Sequence, residues 1–116
     1  MQVQIYHNPR CSKSRSTLEL INQQGIEPVI TNYLETPPNH QQLEHILQTL
    51  DMQPRELMRT NEAEYSEYNL DNPDLSREQL IEAMIKYPKL IERPVVVVGD
   101  KVAIGRPPES VLKILP

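Results

Sequence analysis

Cys11 is the residue best suited to covalent chemistry in this 116-residue chain, and it is the only cysteine. A thiolate, not a thiol, is the reactive species, and cationic neighbours or a helix start lower the thiol pKa from ~8.5 to between ~3.5 and ~7.5. Both conditions are written around Cys11. His7, Arg10, Lys13 and Arg15 are its basic neighbours, and a strand followed by a proline-containing loop brings the chain to it. A cysteine kept as a small buried hydrophobe would sit among apolar residues instead. Cys11-Ser12-Lys13-Ser14 has the frame of a C-x-x-C redox motif with serine in the second place. Serine cannot resolve a mixed disulfide, so a second thiol has to come from another molecule. The other anion-handling motif, C-x5-R, needs arginine at position 17, which is Thr17. A phosphatase loop is excluded.

Three arginines at separated places can serve such a thiolate. Arg59 follows Leu57-Met58, Arg93 precedes Pro94 and Arg106 precedes Pro107. The guanidinium fork offers two parallel hydrogen bonds and suits a tetrahedral oxyanion. Arg55 and Arg77 read as solvated surface charges. His7 is close enough in sequence to Cys11 to support its hydrogen-bond network. His40 and His45 read as surface residues, and one cysteine with three dispersed histidines offers no metal-ligand spacing.

The elements that must position these residues follow from pattern. Val3 to Tyr6 reads as a strand, and Cys11 to Gln24 as a helix with Leu18 and Ile21 inward, stopped by Gly25. Pro28 to Tyr33 is a second strand, which makes a βαβ unit with a parallel pair. Asn39 caps a helix with Leu43, Ile46, Leu47 and Leu50 along one face, and Pro54 opens a short helix through Leu57 and Met58. Ser76-Arg77-Glu78-Gln79 is a capping box with Leu75 and Leu80 as its hydrophobic staple. It starts a helix whose apolar face is Leu80, Ile81, Met84 and Ile85 and which ends at Pro88. Val95 to Val98 is a buried strand joined through Gly99-Asp100 to Lys101–Ile104. A final helix after Pro107-Pro108 places Val111, Leu112 and Leu115 on one side. The order β-α-β, helices, β-β-α is that of an α/β thioredoxin-like fold. It implies a small mixed four-stranded sheet and a helical insertion over about residues 35–92 of a single domain spanning 1–116.

Bulk properties agree. The core must be aliphatic, because Phe and Trp are absent and Tyr numbers five. A net charge of −4 argues against a nucleic-acid partner. Met1 to Tyr6 is too short and polar for a signal peptide, and no apolar run approaches a membrane span. A lone cysteine fits a reducing compartment, so a cytoplasmic location is expected.

Ile5-Tyr6-His7-Asn8-Pro9-Arg10-Cys11, Ser14-Arg15, Tyr33-Leu34-Glu35 with Pro37-Pro38, Arg59, Glu92-Arg93-Pro94 and Gly105-Arg106-Pro107 together resemble the ArsC family of thioredoxin-fold arsenate reductases. The likeness is to its short form, with Ser12-Lys13 where well-known members carry Gly-Thr. It implies that Cys11 is the nucleophile, that Arg59, Arg93 and Arg106 hold the oxyanion, and that His7 supports the thiolate. It also implies that Asn8, Arg10, Ser14, Arg15 and Pro94 belong to the substrate side of the site and that Pro94 is cis. The implied reaction is reduction of arsenate to arsenite through a covalent Cys11–arsenic adduct. Glutathione is the co-substrate, glutaredoxin the partner, and no bound cofactor is needed. Two alternatives share the fold: a glutathione-linked thiol oxidoreductase that does not act on arsenate, and a regulatory binding module similar to the Spx proteins. The second alternative has no use for an anion clamp.

Overall fold

The computed structural model describes residues 2–116, which form two compact units, 2–36 with 93–116 and 37–92. In the first, β1 (Val3–His7) is followed by α1 (Ser12–Gln23) and β2 (Val29–Asn32), and the chain returns as β3 (Val95–Val98) and β4 (Lys101–Ile104). The sheet order is β2-β1-β3-β4, with β1 parallel to β2 and antiparallel to β3. This is the expected mixed sheet and thioredoxin-like order.

Strand periodicity decides which side chains meet α1. Val3, Ile5 and His7 share one face of β1. The register pairs Val3 with Val98 and Ile5 with Val96. These four valine and isoleucine side chains pack with Ile21, Ala103 and Val111 in the core of the unit. Tyr6 and Val95, on the opposite face, are also buried. The face that α1 buries is Ser14, Thr17 and Ile21, with Leu18 half-buried beside it. Its amino-terminal end is therefore polar where it is most deeply packed. β2 is an edge strand whose Val29 and Ile30 are exposed.

The last element departs from expectation. Residues Pro108–Ile114 form a 3₁₀ helix, not an α-helix. Three residues per turn place i and i+3 on one edge, so Val111 and Ile114 turn inward with Leu115, and Leu112 is exposed.

The second unit contains α2 (His40–Leu50), α3 (Pro54–Leu57), α4 (Ala63–Glu67) and α5 (Arg77–Lys86), then a 3₁₀ turn at Pro88–Leu90. Ser76 forms the reciprocal capping box read from the sequence, and the cap read at Asn39 proves to be a reciprocal box as well, each side chain accepting from the third residue of its helix. Leu43, Ile46, Leu47, Leu57, Ile81, Met84 and Leu90 are buried in this unit. α4 has no buried residue and no apolar periodicity to announce it. Arg55 and Arg77 are not idle surface charges. Arg55 donates to the carbonyls of Leu70 and Asn72, and Arg77 grips both carboxylate oxygens of Glu44, at 3.0 and 2.9 Å.

Candidate active site

Cys11 is the N-cap residue of α1, with extended backbone angles (φ −94°, ψ 124°). Its amide donates to the Asn8 carbonyl at 3.0 Å, which closes the loop Asn8-Pro9-Arg10 beneath it. Asn8 holds that loop a second time, because its Oδ1 accepts the Arg10 amide at 3.0 Å. Arg15 reaches back from α1 to the Pro9 carbonyl, also at 3.0 Å. Asn8 is thus buried and committed to loop shape, whereas the Arg10 and Arg15 side chains are exposed.

The first amides of a helix have no partner within it and carry the positive end of its dipole. At Cys11 none of them closes a capping hydrogen bond, yet the Ser14 and Lys13 amides lie where a thiolate draws on them. Two arginines arrive from the other half of the sheet. Arg106 donates from Nη2 to Cys11 Sγ at 3.6 Å and from Nε to the Arg93 carbonyl at 2.8 Å. One guanidinium therefore touches the thiol and is anchored to the segment that carries the other. Partial burial pushes the Cys11 thiol up. The Ser14 amide, the Arg93 side chain and the Lys13 amide together outweigh it and hold the thiol below its ordinary value.

His7 leaves β1 on the face that meets α1, and the residue it meets is Ser14. Ser14 Oγ lies 2.6 Å from His7 Nδ1 and accepts the Asn8 amide at 3.0 Å. All three residues are buried. Burial, with the Arg15 charge second, lowers the His7 pKa, so the ring is neutral at pH 7. The bonds of Ser14 Oγ to the His7 ring and to the Asn8 amide tie the loop, the strand end and the first turn of α1 together. The serine in the place of a resolving cysteine thus bridges His7 and the Asn8 amide. Parity along β1 joined to the phase of α1 could have disclosed this pairing, since His7 is in phase with Val3 and Ile5 and Ser14 with Thr17 and Ile21.

The Arg93–Pro94 and Arg106–Pro107 bonds are both cis; the first was expected from resemblance, the second was not. Pro94 is buried beside Gly105, whose amide donates to the Pro94 carbonyl at 2.9 Å. Arg59 belongs to the second unit. An antiparallel bridge between Met58 and Ile91 places its amide on the Leu90 carbonyl at 2.7 Å, and its Nη1 donates to Glu92 at 3.3 Å. Arg59 Nε is buried with no hydrogen-bond partner among the described residues.

Of the other histidines, His45 is exposed. His40 bonds Glu78 at 2.6 Å, and with Glu44 these form a group whose donor atoms lie within 4.8 Å of one another. His40 and Glu44 stand one turn apart on α2, and the fold brings Glu78 of α5 to them. The Arg77 fork already engages both oxygens of Glu44. No described helix is long and apolar enough to cross a membrane.

A lone thiol at the start of the first helix, with arginines drawn to it by the β3–β4 half of the sheet, defines a thioredoxin-like protein with a single sulfur in a cationic setting. Comparison with known proteins narrows the class. Residues 6–114 match the model of the ArsC family. The chain is 55% identical to the uncharacterized Escherichia coli protein YfgD, over 98% of this chain and 97% of that one. It is 49% identical to the arsenate reductase of Haemophilus influenzae, over 99% and 100% respectively. The solved structure of an arsenate reductase from Vibrio cholerae superposes with a TM-score of 0.94 at 50% identity, covering 99% of this chain and 98% of that one. The chain belongs to the ArsC family.

Proposed function

We propose that this protein reduces arsenate to arsenite, with Cys11 as the nucleophile and glutathione and glutaredoxin supplying electrons. The observation that carries the proposal is the arrangement at Sγ, where two helix-start amides and the Arg93 and Arg106 side chains converge on one sulfur. The full-length likeness to proteins named arsenate reductase supports it.

The Cys11 thiolate attacks arsenic(V) and displaces one oxygen, which leaves as water after protonation, so that a sulfur–arsenic bond replaces an arsenic–oxygen bond. Arg93 and Arg106 hold the oxyanion during this step. The likeness to the ArsC family gives Arg59 a share in that role. A glutathione thiol then joins the arsenic, and a second oxygen leaves as water. The two sulfurs couple into a Cys11–glutathione disulfide with one sulfur–arsenic bonding pair, the other pair stays on arsenic, and the arsenic(III) takes up water and leaves as arsenite. Glutaredoxin removes the glutathione and restores the thiol. Cys11 has no internal partner, because it is the only cysteine. The outside thiol is therefore required by electron count. Such chemistry belongs in a reducing compartment, the cytoplasm.

The test is to incubate the protein with arsenate and glutathione without glutaredoxin, then read intact mass and arsenite. The expected outcome is one glutathione on Cys11 and one arsenite per chain, neither forming without arsenate. Glutathionylation from oxidised glutathione with no arsenite under any condition would replace this reading with that of a glutathione-linked oxidoreductase.

A further inference from the structure

Three segments that are distant in sequence meet at Gly105 with no side chain between them. A methyl group built on Gly105 would collide with Thr17 Oγ1 and would lie 2.7 Å from Pro94 Cγ and 3.1 Å from Thr17 Cγ2. Thr17 is fully buried, and its hydroxyl is satisfied within α1 by the Lys13 carbonyl at 2.8 Å. Gly105 does not have the left-handed backbone conformation of Gly25 and Gly99. What requires glycine here is space.

Each of the three segments carries part of the thiolate's surroundings. α1 carries Cys11 and the Lys13 and Ser14 amides, one turn before Thr17. Pro94 follows Arg93, and Gly105 precedes Arg106. The Gly105 amide ties its segment to the Pro94 carbonyl, and Arg106 Nε ties it again to the Arg93 carbonyl. The arginine pair is thus one body, and Thr17 is the surface against which that body is set. We propose that Thr17 and Gly105 are positioning residues whose mutual contact fixes Arg93 and Arg106 in register with the helix start that carries Cys11. This deepens the proposed function by naming what aims its oxyanion clamp, and it rests on that reading for its part in turnover.

The reasoning predicts a particular pattern among three variants. Gly105→Ala pushes the arginine body away from α1, and Thr17→Ala leaves a gap into which it slackens. Combined, the added methyl occupies the vacated volume. The readout is the rate of Cys11 alkylation by iodoacetamide against pH, which follows thiolate fraction, with circular dichroism confirming the fold. Each single variant should raise the midpoint and slow labelling at pH 6.5 about twofold or more, because nucleophilicity partly offsets the lost thiolate. The double variant should lie closer to wild type than Gly105→Ala does, a non-additivity expected only of groups in contact. If Gly105→Ala does not fold, Thr17→Ala and the double variant decide the matter alone, with the double variant expected nearer to wild type. Folded variants with wild-type midpoints, or effects that add, would overturn the proposal. Arsenate is absent from this readout, so a failure of arsenate turnover would sink the proposed activity and leave the positioning role standing.

Discussion

Replacing Arg106 by alanine removes a guanidinium whose Nη2 lies 3.6 Å from Cys11 Sγ. Two unit charges at that separation interact by about 1 kcal/mol in a water-like dielectric and by several times that nearer a protein interior. Arg106 is exposed, so the water-like limit applies, discounted for screening to about 0.5–1 kcal/mol. That corresponds to a roughly two- to fivefold fall in the thiolate:thiol ratio at a pH below the midpoint. The ultraviolet absorbance of the thiolate reads it directly, because Cys11 is the sole cysteine and a Cys11→Ser blank removes the tyrosine background. Arg106→Lys should fall in between, since it keeps the charge and loses the Nε bond to the Arg93 carbonyl. Raising the salt concentration should shrink the difference between wild type and Arg106→Ala. An Arg106→Ala titration curve that superposes on the wild-type curve would refute the claim that this arginine acts on the thiolate.

Arg93→Ala and Arg106→Ala should each weaken phosphate binding, measured by calorimetry, by roughly 1.5–3 kcal/mol, or about ten- to a hundredfold, with the fold intact. His7 predicts acid sensitivity. Its folded pKa lies below the unfolded value near 6.5, so protons bind the unfolded chain first and the neutral ring's contribution is lost as pH falls below about 6.5. Urea midpoints at pH 7.5 and 5.5 should therefore drop more for wild type than for His7→Gln. Asn39→Ala removes the cap that accepts the Gln42 amide at 2.8 Å and should cost about 1 kcal/mol in chemical denaturation.

Local signals carried the sequence reading a long way. Strand, proline loop and polar helix start placed Cys11 at the start of a helix, where it is the N-cap, and the cap at Asn39, the capping box at Ser76 and the Val95–Val98 run came out as written. Features set by contacts between distant residues were out of reach. Thr17 reads as an ordinary helix residue until Gly105 is brought against it. Arg55 and Arg77 look solvated until the carbonyls of Leu70 and Asn72 and the carboxylate of Glu44 appear beside them. The final helix was misread because Val111, Leu112 and Leu115 fit a 3.6-residue period, whereas the segment after the two prolines winds with three. α4 was missed because exposed residues leave no periodic trace. Ser14 lies between these cases. Its position in the C-x-x-C frame was visible, but its bond to His7 follows only once strand parity is joined to helix phase.

Arsenate-dependent NADPH oxidation, coupled through glutathione reductase, glutathione and glutaredoxin, tests the central claim most directly. Wild-type protein should turn over under these conditions, Cys11→Ser should not, and thioredoxin with its reductase should serve poorly in place of the glutathione system, because a chain with one thiol offers no internal disulfide to reduce. Equal turnover with thioredoxin alone, or activity surviving in Cys11→Ser, would contradict the account.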